Sequence, residues 1–315
     1  METRPPVDLG HRIAMIDGFD LGVPGRTGTY VLREEELTLV DTGPSPSVPR
    51  ILKGLEDLGL DPADVRYVIV THIHLDHAGG AGLLLESCPR AKVVVHPRGA
   101  RHLADPSRLI AGARAIYQDK FDALFDPVLP VPEDRLIVME DGDTLKIGPE
   151  CTLTFMDSPG HAAHHFTIYD PVSNGLFTGD TAGVRYHQLE DCGFVLHLPV
   201  TSPNQFDPDA MRRSIGKFRQ MKAERVYFGH FGMGENPEAV YEEVLGWLDR
   251  FVQAGEAVFV EGGGASEIEQ HLTAQVKEHL AERGTPENHP VYQTLKMDLF
   301  VSALGIFDYL KKNRG

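Results

Sequence analysis

Cysteine is scarce in this sequence, long apolar runs are missing, and basic residues are outnumbered. The three cysteines, Cys88, Cys151 and Cys192, are far apart and odd in number. They supply neither a disulfide framework nor a C-x-x-C thiolate metal site, which points to a reducing compartment. No apolar run approaches the ~20 residues that span a bilayer, and the opening METRPPVDLG lacks the apolar region of a signal peptide. A cytoplasmic protein with no membrane partner is expected. The 30 Lys and Arg against 46 Asp and Glu leave a net charge of −16, which argues against sequence-independent binding to nucleic acid or anionic lipid.

What the chain has is length and histidine. Its 315 residues suit two domains, or one large domain with an appendage, and bury a sizeable core. Between residues 28 and 100, short β-rich runs alternate with helical segments, the pattern of an α/β protein. Strands are expected at 29–32, 37–40, 65–70 and 92–95, and helices at 47–58, where Val48, Ile51, Leu52, Leu55 and Leu58 have helical spacing, and at 79–85. Residues 101–126 read as a helical insertion of the kind that covers an active site. A second β-rich half follows, with strands at 152–155, 166–169, 175–178 and 225–228, an irregular loop at 196–208, and helices at 211–221 and 237–254. Beyond Gly262-Gly263-Gly264, two helices at 266–283 and 291–312 are expected, the second with a broad apolar face. That face needs a partner: the core, the wall of a substrate site, or a second copy of the chain.

Histidine numbers 15, and imidazole is the commonest metal ligand. Thr71-His72-Ile73-His74-Leu75-Asp76-His77 places four candidate ligands at the end of a buried strand. Alternation puts His72 and His74 on one side of the extended chain, and the turn into the next helix brings Asp76 and His77 beside them. Three more candidates, His161, Asp180 and His230, each follow a glycine at an apparent strand end, where the backbone can turn sharply on a rigid platform. Together they make a ligand set for two metal ions.

In this order the residues resemble the metallo-β-lactamase superfamily. Its H-x-H-x-D-H motif, following histidine, bridging aspartate and last histidine fall on His72, His74, Asp76, His77, His161, Asp180 and His230, and LVDTG ending at Gly43 is similar to the motif that precedes the metal loop. The resemblance implies an α/β fold, an αβ/βα sandwich with a metal site at one edge, to which the helical pattern beyond residue 262 adds a C-terminal helical extension. The expected domains are a hydrolase domain over 1–260, with the insertion near 101–126, and an appendage over 261–315. It assigns His72, His74 and His161 to one metal, Asp76, His77 and His230 to the other, and Asp180 as the bridge. Two divalent ions about 3.5 to 4 Å apart can hold a bridging hydroxide that attacks an ester, lactone or phosphoester. Zinc suits the imidazole and carboxylate set best, and iron or manganese would accept it.

The branch is narrowed by exclusion. Redox di-iron members carry glutamate where this chain has His74, which favours hydrolysis over the alternative of a redox iron protein. True β-lactamases do not use the bridging aspartate. Glyoxalase II and persulfide dioxygenases carry Thr or Ser where Ala162 stands, and no RNA-processing module is evident. The lactonase, phosphodiesterase and phosphotriesterase group remains, with a small neutral or singly charged ester as substrate, since the acidic surface speaks against a polyanion. Asp76 and Asp180 are the expected catalytic carboxylates. Tyr186 stands near the place where lactonase-like members present a tyrosine to the substrate oxygen. Asp41 reads either as an acceptor behind a metal-bound histidine or as a turn aspartate. His164 and His165 read either as donors to substrate or as core histidines that support the site, and His96, His102 and His197 as surface or loop residues.

Overall fold

The computed structural model describes residues 2–314, which fall into two compact units. The first comprises the chain up to Asp157, His164–Gly179 and Ala223–Glu235. The second comprises Ser158–Ala163, Asp180–Lys222 and the chain from Asn236 onward.

The first unit holds two sheets. One has seven strands in chain order: β1 (Val7–Asp8), β2 (Ile13–Asp17), β3 (Gly28–Leu32), β4 (Thr38–Val40), β5 (Tyr67–Ile69), β6 (Lys92–Val95) and β7 (Leu136–Val138). Pairing is antiparallel as far as β4 and parallel from β4 to β7. The parallel crossovers carry α1 (Val48–Asp57), the short α2 (Leu75–Ala78) and α3 (Ala81–Leu84), then α4 (Pro97–Ala104), α5 (Ser107–Tyr117) and α6 (Phe121–Phe125). A central parallel strand is buried on both faces, which is why residues 65–70 are apolar almost throughout. The second sheet is formed by β8 (Thr144–Lys146), β9 (Thr152–Asp157), β10 (Phe166–Asp170) and β11 (Gly175–Gly179), with two later strands joining beside β11.

Alternation along the strands divides the core. Ile13, Met15, Tyr30, Val40, Ile69 and Val94 of the first sheet cluster with Leu153, Phe155, Phe166, Ile168 and Phe177 of the second. On the opposite face, Ala14, Ile16, Val31, Leu39, Val68 and Val93 meet Val48, Ile51 and Leu55 of α1 and Ala81 and Leu84 of α3. The insertion has a small core of its own: Phe121 and Phe125 close on Leu75, the residue between His74 and Asp76. The insertion therefore braces the histidine loop.

The second unit contains a hairpin of β12 (Val184–Tyr186) and β13 (Leu196–Leu198), and the helices α7 (Pro208–Met221), α8 (Pro237–Val260), α9 (Ala265–Glu282) and α10 (Val291–Arg314). β14 (Arg225–Phe228) and β15 (Met233–Gly234), between α7 and α8 in sequence, belong to the second sheet of the first unit. The Asp207 and Asn236 side chains cap α7 and α8, each with proline at the first helical position. The apolar face of α10 is covered by this unit itself. Leu295, Leu299, Ala303, Ile306 and Leu310 are buried, and Thr201 Oγ1 donates to Ser302 O at 2.8 Å. Gly305 permits that approach, because a Cβ there would lie 1.9 Å from Thr201 O. These α10 side chains are thus covered by the chain's own residues.

Three local expectations change. Strand β2 precedes the first strand read from the sequence, because its partner β3 lies beyond a loop of ten residues (18–27) and gives it no local signature. Residues 79–85 hold one short helix, α3, and the loop 196–208 opens with β13, which pairs with β12.

Candidate metal centre

In the first unit, β5 delivers the histidine loop and β4 delivers the residue that holds it. Asp41, directly after β4, is 3% exposed and has a left-handed backbone, φ 57°. Its Oδ1 accepts the Thr71 N–H at 2.8 Å, and its Oδ2 lies 3.0 Å from His77 Nδ1. A carboxylate only accepts, so His77 Nδ1 carries the proton and Nε2 keeps the lone pair. Thr71 Oγ1 lies within hydrogen-bond distance of both Asp41 oxygens and 3.1 Å from His72 Nδ1. Its single proton goes to the carboxylate, so it accepts from His72 Nδ1–H, leaving His72 the same tautomer. Asp41 is therefore an orienting acceptor.

Donor atoms converge around Asp76. Its Oδ2 lies 3.6 Å from His77 Nε2 and 3.7 Å from His230 Nε2. Ligands on a tetrahedral ion with bonds of about 2.0 to 2.1 Å stand roughly 3.3 Å apart, so this spacing suits three donors on one cation. His230 Nδ1 donates to Arg26 O at 3.3 Å, which again directs the lone pair to Nε2. His72 and His74 do fall on one side, with ring centroids 4.7 Å apart, and the His72 ring is 4.2 Å from that of His77. His164 stands 5.2 Å from the His74 ring and His165 5.1 Å from the His72 ring. Gly179, at the end of β11 with φ +47°, makes room for His165, since a Cβ there would lie 2.4 Å from His165 Nε2.

The second unit carries the other two expected ligands. His161 Nδ1 donates to Val200 O at 3.1 Å, and His161 Nε2 lies 3.6 Å from Asp180 Oδ2, both side chains being buried. Thr181 Oγ1 donates to Ser158 O at 2.8 Å and ties the two segments together. Tyr186 is buried, and its hydroxyl donates to Asp298 Oδ2 of α10 at 2.8 Å.

Two other histidines are structural. His96, expected at the surface or in a loop, is 4% exposed. Its Nδ1 accepts the Arg98 N–H at the start of α4, and its Nε2 lies 3.1 Å from Asp157 Oδ1. Burial holds its pKa below the ordinary histidine value, against the pull of Asp157. Asp191, Cys192 and His289 bring three donor atoms together. However, His289 Nδ1 accepts the Val291 N–H, which puts the ring proton on Nε2, facing Asp191. That tautomer suits a latch at the start of α10 and not a ligand. The sequence reading missed the buried pair Asp20 and Arg26, whose only local signal is two charges inside a glycine-rich connection between strands.

Comparison with known proteins places these residues in a family context. A family model described as the metallo-beta-lactamase superfamily matches residues 22–230. A metallo-beta-lactamase fold-containing protein of Sulfurisphaera tokodaii is 28% identical over 225 residues, 70% of this chain and 78% of that one. The lactamase-like protein aptB of Emericella nidulans is 31% identical over 247 residues, 71% of this chain and 68% of that one. The N-acyl homoserine lactonase AttM of Azorhizobium caulinodans is 36% identical over 197 residues, 61% of this chain and 66% of that one. Among solved structures, a metallo-beta-lactamase family protein from Thermus thermophilus matches with a TM-score of 0.63 at 21% identity, covering 91% of this chain and 88% of that one. No helix among the described residues is long and apolar enough to cross a membrane.

Proposed function

The chain belongs to the metallo-beta-lactamase superfamily, and from that premise we propose that it is a binuclear metal-dependent hydrolase of ester, lactone or phosphoester bonds in small molecules. The observation that carries the reading is the convergence of Asp76 Oδ2 with the Nε2 atoms of His77 and His230 at 3.6 and 3.7 Å, each ring held by an acceptor at Nδ1. The donor set fits a divalent cation: imidazole nitrogens in the ligating tautomer, and a carboxylate, with zinc the best match and iron or manganese acceptable.

In this reading His72, His74 and His161 hold one cation, Asp76, His77 and His230 hold the other, and Asp180 bridges them. Bound cations would supply an activated water and polarise the substrate's carbonyl or phosphoryl oxygen. Asp41 keeps His77 in the ligating tautomer, and Val200 O does the same for His161. Tyr186 is the candidate contact to substrate oxygen, and to donate there its single hydroxyl proton must leave Asp298 Oδ2, which accepts it at 2.8 Å. The 36% identity to a protein named as a lactonase supports lactones as the first substrates to try, and His74 in the position of the redox members' glutamate favours hydrolysis.

The test is metal analysis of protein purified without added metal, followed by turnover of a panel of lactones, aryl esters, phosphodiesters and phosphotriesters. Two equivalents of metal and hydrolysis of at least one class are expected, with turnover abolished in His72→Ala and Asp180→Asn. Iron content with no hydrolysis across the panel would overturn the reading in favour of redox chemistry, and full turnover by metal-loaded Asp180→Asn would remove the bridge.

A further inference from the structure

The connection between β2 and β3 holds a buried ion pair outside the seven expected ligands. Asp17 organises it, accepting the Phe19 N–H at 3.0 Å and the Gly25 N–H at 2.8 Å. Phe19 and Leu21 are held left-handed, at φ 51° and 54°, a conformation that non-glycine residues keep only where surrounding contacts enforce it. Between them Asp20 is 1% exposed, and Arg26 Nε donates to its Oδ2 at 3.1 Å. Its Oδ1 has no hydrogen-bond partner among the described residues. A buried carboxylate with half its acceptor capacity unused is an unfavourable arrangement for stability alone.

Arg26 connects this pair to the metal centre. While its guanidinium engages Asp20, its backbone carbonyl accepts from His230 Nδ1. Burial pushes the Asp20 carboxyl up to about 6, and the charge of Arg26 opposes that shift.

We propose that Asp20 is a positioning residue of this half-site: it anchors Arg26 so that the Arg26 carbonyl keeps His230 in the ligating tautomer. The inference rests on the metal-centre reading above. Groups one step behind a ligand typically change metal affinity by about 10- to 100-fold when mutated, so the effect belongs in the binding isotherm. The probe is Co2+ titrated into metal-free protein and followed by visible absorption, with the melting temperature of each metal-free variant measured alongside. The variants are Asp20→Asn and the double change Asp20→Asn with Arg26→Gln, which leaves no lone buried guanidinium and keeps the test available if the single change does not fold.

Wild type is expected to take up two Co2+, and the variants to weaken one of the two steps about tenfold or more while the other step stays at its wild-type affinity. Equal weakening of both steps, in proportion to lost stability, overturns the positioning role. Wild-type isotherms in both variants overturn it as well. A wild type that binds no second Co2+ overturns the binuclear reading together with this inference, whereas two Co2+ in wild type and unchanged variants overturn the role of Asp20 alone.

Discussion

Asp41 Oδ2 lies 3.0 Å from His77 Nδ1, and the other oxygen of the same carboxylate accepts the Thr71 N–H at 2.8 Å. One buried side chain thus spans the loop from its first residue to its last. Asp41→Asn keeps an oxygen for Thr71 but offers His77 an N–H in place of an acceptor, so the ring loses the tautomer that directs Nε2 to a ligand. Zinc affinity in a chelator competition is expected to fall about 10- to 100-fold with the fold retained. An affinity within threefold of wild type would remove Asp41 from the orienting role.

Metal removal should lower stability, because a ligand that binds only the folded state stabilises it by mass action. At free metal about 100-fold above Kd the gain is about 2.7 kcal/mol. Thermal scans after dialysis against chelator should show a lower Tm that climbs back with added Zn2+ in a concentration-dependent manner. A Tm indifferent to metal would contradict the donor assignment.

Arg12 grips Asp170 with both terminal nitrogens, at 2.9 and 3.0 Å, and Asp170 is fully buried. Burial by itself would raise the Asp170 carboxyl, but hydrogen bonds from Arg12 and Ser173 and the guanidinium's charge outweigh it and hold the pKa below the ordinary value. The sign follows from linkage. The contribution is complete above the unfolded aspartate value of about 3.9 and disappears as pH falls through the lower folded value. Denaturation midpoints should therefore drop steeply below pH ~4 in wild type and less steeply in Asp170→Asn. Arg12→Leu, which strands the buried carboxylate, should cost about 3 to 5 kcal/mol.

Gly305 and Gly216 make an opposed pair. A Cβ at Gly305 would lie 1.9 Å from Thr201 O, whereas at Gly216 in α7 it would meet nothing within 4 Å. Gly305→Ala is expected to destabilise by about 3 kcal/mol or more through overpacking against backbone. Gly216→Ala should stabilise by about 0.5 to 1 kcal/mol, because alanine loses less freedom in a helix. Chemical denaturation of the two variants checks both signs, and a stable Gly305→Ala protein would mean that α10 does not sit against residues 201–202.

The fold was legible where the pattern is local. Val48, Ile51 and Leu55 have helical spacing and form the buried face of α1, and residues 65–70 announce a strand covered on both sides. Strand β2 was not legible, since Ile13–Asp17 is defined by its pairing with β3 beyond a loop. The apolar face of α10 was visible, but its cover was not, because Thr201 meets it with a hydroxyl on Ser302 O and a backbone oxygen against Gly305, contacts between segments 101 residues apart that leave no local pattern.

Residue identity alone sets the chemistry of the donors: imidazole and carboxylate side chains, their order along the chain, and the family they resemble. Side-chain type is written in the residue, and alternation along an extended segment is enough to bring His72 and His74 together. Which nitrogen each ring presents is set by long-range packing instead. That choice rests on Asp41 for His77, Val200 O for His161 and Arg26 O for His230. Two of these acceptors are backbone carbonyls, which carry no sequence signal and act only where long-range packing sets them.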